Sequence, residues 1–190
     1  MVFPVRELFD IPDDVAYLNC AYMGPLPRST AEAGQAALAA KAQPWKIMPA
    51  DFFTNVQTFR ERVGALLGDD AEGVAVVPSV SYAMATAAAN LPIAAGEEIV
   101  VLAEQFPSNV YAWRALAERR EAWVHAVERP SNSDWTSALL EHLDRNGDLV
   151  AIVAVPHCHW TDGTVVDLLA VGAKCREIGA ALVIDASQSL

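Results

Sequence analysis

The sequence predicts an α/β fold, a mostly parallel sheet sandwiched by helices. Three observations carry that expectation. From residue 73 onward short apolar runs alternate with stretches of helical periodicity. Several runs, such as LVAIVAVP at 149–156, are continuously apolar, the pattern of strands covered on both faces. The connections between runs are short, which suits strand–helix–strand crossovers and hence parallel strands.

The elements follow in order. Up to about Ala50 turn signals dominate, with Pro12, Gly24, Pro25, Pro27, Pro44 and Pro49 among them. One short helix fits there, STAEAGQAALAAKA at 29–42, with Ser29 or Thr30 as its N-cap. Residues 1–50 therefore read as an arm and part of a small subdomain, and 51–190 as the large domain. DFFTNVQTFRERVGALLG at 51–68 carries apolar residues at helical spacing and stops on Gly68. Strands are expected at GVAVVP (73–78), EEIVVLA (97–103), AWVHAV (122–127), LVAIVAVP (149–156) and ALVIDA (181–186). Helices are expected between them at 81–91, 108–120, 133–144 and 166–179.

Composition narrows the function. Of 190 residues 53% are hydrophobic and 19% charged, enough apolar material for a real core. The net charge of -11 argues against nucleic acid and against an anionic membrane surface, both of which favour a basic face. No stretch reads as a signal peptide or a bilayer span. Three widely spaced cysteines, Cys20, Cys158 and Cys175, make neither a disulfide framework nor a zinc motif. A reducing cytoplasm is the expected location.

In parallel sheets ligands sit at the carboxyl ends of strands, and the unusual residues cluster there. In VVPSVSYAM a helix opens near Ser81, where free N–H groups and the helix dipole suit a phosphate; simple capping by serine is the competing reading. In LAEQFPSNVYAW, Phe106 either stacks on a planar ligand or covers the core. HCHWTDG crowds His157, His159, Trp160 and Asp162 at one strand end. No third ligand of recognisable spacing accompanies the histidines, so an active-site edge with a turn at Asp162-Gly163 is expected and a metal is not. In VIDASQ, Asp185 ends a buried strand. It either caps a turn or pairs with a protonated ring nitrogen, with Gln188 within reach of a ring oxygen.

The order of these segments resembles the class V aminotransferase family, pyridoxal-phosphate enzymes of fold type I that include cysteine desulfurases, selenocysteine lyases and kynureninases. The resemblance runs from YLNCAYMGPLP to the last residue. It implies that PSVSYAM is the phosphate loop, through the backbone of Val80 and the backbone and hydroxyl of Ser81. It implies that Phe106 stacks on the pyridine ring and that Trp160 lies near the phenolic oxygen. Asp185 would bind the pyridine nitrogen and Gln188 the phenolic oxygen, while Asn19, Cys20 and Ala21 would wall the substrate entrance.

The serine-rich phosphate loop departs from the Gly and Thr of many members, and Phe-Pro at 106–107 looks like the kynureninase version. The Schiff-base lysine is expected beyond Leu190, since Lys41, Lys46 and Lys174 do not match its position. The chain alone is then expected to be inactive, and none of its cysteines is the desulfurase nucleophile. The resemblance further implies a small amino-acid substrate and a homodimer. The alternative is a non-catalytic cofactor-binding or dimerisation module of the same fold. An unrelated nucleotide binder would need a Gly-rich first turn, which is absent.

Overall fold

A computed structural model describes residues 5–20, 22–68 and 70–189. It divides into two compact units, 1–76 and 77–190. No helix among the described residues is long and apolar enough to cross a membrane.

The first unit holds α1 (Arg28–Lys41) and α2 (Asp51–Leu66) with short 3-10 turns. α1 begins one residue before the predicted cap. Pro27 occupies the N-cap without a side-chain bond, so Ser29 and Thr30 sit inside the first turn. The proline's fixed φ of -56° opens the helix, a role the hydroxyls were expected to fill. α2 is tied to the turn after it: Arg60 Nε donates to the Val74 carbonyl at 2.8 Å and Nη2 to that of Glu72 at 3.3 Å. These ties place the compact boundary after α2, at 76/77.

The second unit contains α3 (Val80–Asn90), β1 (Glu98–Leu102), α4 (Tyr111–Arg120), β2 (Trp123–Val127), α5 (Trp135–Asn146), β3 (Val150–Pro156), α6 (Leu168–Ile178) and β4 (Ala181–Asp185). The four strands form one parallel sheet in the order β2-β1-β3-β4. Successive side chains of a strand point to opposite faces. Accordingly Val100, Leu102, Val153 and Val155 pack with Trp135, Leu139 and Leu143 of α5 and Val171 of α6. Ile99, Val101, Ile152 and Ala154 pack on the other face with Met84 of α3 and Trp113 and Leu116 of α4. This two-sided burial is why β1 and β3 read as unbroken apolar runs.

Helix ends are set locally. Asp134 caps α5 by accepting from Ser137 N at 3.0 Å, and Asp167 caps α6 by accepting from Leu169 N and Ala170 N at 3.0 Å. Gly179 ends α6 at φ 78°, a left-handed conformation that a side chain disfavours. The predicted helix at 108–120 begins later, at Tyr111, because Pro107 starts a 3-10 turn over Pro107–Asn109.

One predicted strand is corrected. Residues 74–77 pair with no strand among the described residues, and Val76 and Val77 are exposed. β-branched residues favour an extended chain, but a strand exists only with a ladder partner, and none of the four strands accepts it.

Leu139 is fully buried between α5 and the sheet. Leu139→Ala is expected to lower the unfolding free energy by about 2–5 kcal/mol, read from urea unfolding followed by circular dichroism. A loss below about 1 kcal/mol would mean that this face is not packed as described.

Candidate functional site at the carboxyl edge of the sheet

The connection after β1 runs through α4 on one face, and that after β3 through α6 on the other. Where neighbouring strands send their connections to opposite faces, a crevice opens at their carboxyl ends. Residues 103–106 and 157–164 line that point.

The turn after β3 is tightly tied. Val166 N donates to the His157 carbonyl, and His159 N to that of Thr164, both at 2.8 Å. Gly163 takes φ 74°, which makes the predicted Asp162-Gly163 turn. His159 is fully buried and stacks on Trp135 with ring centroids 4.8 Å apart. Its Nε2 lies 3.1 Å from the Ala103 carbonyl and its Nδ1 2.9 Å from Thr161 Oγ1. A carbonyl only accepts, so Nε2 carries the proton and Nδ1 accepts from the hydroxyl. Both ring nitrogens are engaged, so His159 latches the end of β3 to the end of β1.

Next to it Trp160 Nε1 donates to the Glu104 carbonyl at 2.7 Å. Glu104 itself sits at φ 55°, an uncommon conformation for a residue with a side chain. Arg129, two residues past β2, closes the arrangement. Its Nη2 reaches Glu104 Oε2 at 2.7 Å and Thr161 Oγ1 at 2.5 Å, while Nη1 binds Asp162 Oδ2. The guanidinium also lies 5.2 Å from the centroid of the Trp135 ring. The Arg129 guanidinium holds the Glu104 carboxyl below its usual range. For Asp162 burial pushes the carboxyl up, but the Thr164 amide and Arg129 outweigh it and bring it down to about 2. Glu104, Arg129 and Thr161 were missed from sequence. The signal available was a charge at each strand end, the cue that singled out Asp185.

The residues singled out from sequence fall as follows. Phe106 and Trp160 meet edge to face, ring centroids 5.3 Å apart. Trp160 is 47% exposed, and its single N–H donor is already taken by Glu104. It therefore has a ring to offer a ligand rather than a hydrogen bond. Asp185 ends β4 at 6% exposure and accepts from Ser187 Oγ at 2.6 Å and Ser187 N at 3.1 Å. Its carbonyl accepts from His157 N at 3.1 Å, which sets it beside the turn after β3. Gln188 is half-buried three residues on.

Ser79 caps α3, its Oγ accepting from Tyr82 N at 3.2 Å, and its carbonyl takes Ala83 N. The N–H groups of Val80 and Ser81 are left without an intrahelical acceptor, as helix geometry requires. Ser79 thus caps the helix as the simpler reading expected, and Ser81 lines a cleft of about 370 Å³ with Pro107, Ser108 and Tyr111. Asn109, one turn past Phe106, is fully buried; its Oδ1 accepts from Trp113 Nε1 at 2.9 Å while its Nδ2 has no partner among the described residues. Asn19 and Cys20 are exposed in the first unit, and Ala21 lies outside the described residues.

A family model described as Aminotransferase class-V matches residues 36–190. The chain is 26% identical over 201 residues to a cysteine desulfurase of Enterobacter sp. (strain 638), covering 99% of this chain and 48% of that protein. It is 24% identical over 199 residues to a kynureninase of Burkholderia mallei (strain SAVP1), covering 98% and 45%. Among solved structures it is similar to a C-DES mutant with glycine covalently linked to its PLP cofactor, at a TM-score of 0.83 and 21% identity over 98% of this chain and 50% of that one. The chain spans less than half the length of these curated relatives.

Asp162 makes the clamp pH-sensitive, with a definite sign. Its folded value of about 2 lies below its ordinary 3.8. Its stabilisation is therefore full above the ordinary value and is lost as pH falls toward the folded one. Arg129→Gln removes one of the groups that hold it down. The midpoint of acid unfolding, followed by tryptophan fluorescence, is expected to move to higher pH in that variant. An unchanged midpoint would contradict the clamp.

Proposed function

Because the chain belongs to the class-V aminotransferase family, we propose that its second unit is the cradle for pyridoxal phosphate in an enzyme that acts on a small amino acid through a Schiff base. That unit spans 77–190, whereas α2, which was expected in the large domain at 51–190 beside an arm at 1–50, falls in the first unit. The observation that carries this reading is Asp185, a carboxylate at 6% exposure on the end of a strand. Its bonds from Ser187 come from neutral donors, and a protonated pyridine nitrogen supplies the opposite charge that offsets the burial of a carboxylate. The donor set fits the rest of the cofactor. The Val80 and Ser81 N–H groups and the Ser81 hydroxyl face a phosphate with the help of the α3 dipole. Phe106 stacks on the ring, its own ring braced by Trp160. Gln188 binds the phenolic oxygen.

Pyridoxal phosphate, when bound, supplies an electron sink for negative charge developing on the substrate. The chain's part is to hold the ring nitrogen protonated through Asp185, to orient the ring through Phe106 and Trp160, and to anchor the phosphate. The lysine that joins the cofactor is not one of its three. Lys174 is bound to Asp144 of α5 at 2.7 Å and Glu177 of α6 at 2.9 Å, which raises its pKa and holds its 16% exposed side chain between the two helices. Lys41 and Lys46 lie in the first unit. The 190 residues by themselves then bind cofactor without turning over substrate. Cys175 is buried, which pushes its thiol up and away from a nucleophile's range.

We assign the protein to the cytoplasm and to a homodimer. Support for the dimer comes from α2, which exposes Phe52, Phe53 and Phe59, an apolar face of the kind that partners cover.

Equilibrium binding of pyridoxal phosphate to the 190-residue chain, read by quenching of tryptophan fluorescence, tests the cradle. Asp185→Ala and Ser81→Ala are each expected to weaken binding by roughly tenfold or more, the loss of a charge-assisted contact. Equal affinity of both variants and the parent would sink the proposal. Borohydride reduction should leave no stoichiometric label on any lysine; a specific label on Lys174 would refute its exclusion.

A further inference from the structure

At the opposite edge of the sheet, away from the cradle, three side chains with metal-binding atoms converge. Glu98 opens β1, His125 lies on β2 and His142 on α5. The fold brings them together for simple reasons. Glu98, Val100 and Leu102 alternate onto the face covered by α5, and His125 pairs in register with Val100. On α5, His142 follows Leu139 by three residues and so shares its sheet-facing side. The result is Glu98 Oε2 at 2.9 Å from His142 Nε2 and Glu98 Oε1 at 3.6 Å from His125 Nδ1. All three ligand atoms lie within 4.8 Å of one another.

We propose that Glu98, His125 and His142 bind a divalent transition ion of zinc's chemical class. Two imidazoles and a carboxylate are a recognised donor set for such an ion, leaving its remaining position to water. Glu98 and His142 are 16% and 13% exposed at the side chain, so the site is pocketed, while His125 at 44% keeps it open to solvent. Burial first, and then the neighbouring His142, lowers the pKa of His125 and favours its neutral ring. A neutral imidazole is the form that ligates. Asn146 packs on the inner ring, its Nδ2 lying 3.3 Å from His142 Nδ1 and donating to the His142 carbonyl at 3.1 Å.

The two rings stack with centroids 3.9 Å apart and planes 16° apart. Parallel rings cannot both aim a lone pair at one ion. Loading therefore swings His125, the exposed member, out of the stack. It also moves the His142 ring proton from Nε2 to Nδ1, where the Asn146 amide meets it by turning its oxygen inward. No proton or electron is gained or lost. The ion would join β1, the edge strand β2 and α5, and so stabilise the folded chain by mass action.

The test needs no pyridoxal phosphate and is independent of the cofactor reading. Zn²⁺ is titrated into the 190-residue chain against a chromophoric chelator at about pH 7.5, and Co²⁺ is used as a visible-absorbance probe. One ion per chain is expected, with tetrahedral Co²⁺ bands and a higher thermal midpoint in Zn²⁺. Glu98→Gln and His125→Ala should each weaken uptake roughly tenfold or more and remove the bands. Glu98→Gln preserves shape and His125→Ala alters an exposed side chain, and circular dichroism verifies that each is folded. Failure of the parent chain to take up Zn²⁺ would overturn the proposal. So would uptake of equal strength in both variants, which would place the ion elsewhere, such as at His157 or a cysteine thiol.

Discussion

β1 and β3 are buried on both faces, and the position of every group at the carboxyl edge depends on it. Each fully buried apolar side chain contributes roughly 1.5–3 kcal/mol, and Ile99, Val100, Val101, Ile152 and Val153 all qualify. A slip of one residue would exchange the two faces of a strand. The register Ile99 to Ile152 is therefore firmly set. It brings the segment after Leu102 alongside the segment after Pro156. Only then does His159 reach the Ala103 carbonyl and Trp160 that of Glu104.

On this base the edge is held by charge. Arg129 gathers a carboxylate from each of two neighbouring loops and a hydroxyl from one of them. Strand ends without such ties would be mobile loops. With them, the Phe106–Trp160 pair is a fixed surface, and Asp185 sits beside the same turn through its bond to His157 N. The carboxylates that pair within the clamp are distinct from that of Asp185, which accepts from Ser187. The fold thus uses the Arg129 clamp for its own cohesion.

Much of this was legible in the sequence. Continuous apolar runs named the buried strands, and helical spacing between them named the crossovers, because burial on both faces erases alternation. Asp185 stood out because a carboxylate after VI is costly, and Gly163 marked a turn that needs a positive φ. What escaped has a common cause. The 74–77 segment has strand propensity, but pairing is decided by a partner elsewhere in space. Ser29 and Thr30 looked like caps, but Pro27 opened the helix first. The Arg129 clamp joins residues 25 and 33 positions apart, and Glu98 meets His142 across 44. Such contacts are products of the sheet order β2-β1-β3-β4 and carry no local signature.

The central claim is that the buried carboxylate of Asp185 is balanced by a protonated ring nitrogen. The most direct measurement is the ¹⁵N chemical shift of pyridoxal phosphate labelled at the ring nitrogen and bound to the chain, at a pH where the free cofactor's ring is unprotonated. The account predicts the upfield shift of a pyridinium, reverting in Asp185→Ala. A bound cofactor whose nitrogen keeps the shift of an unprotonated pyridine would contradict it.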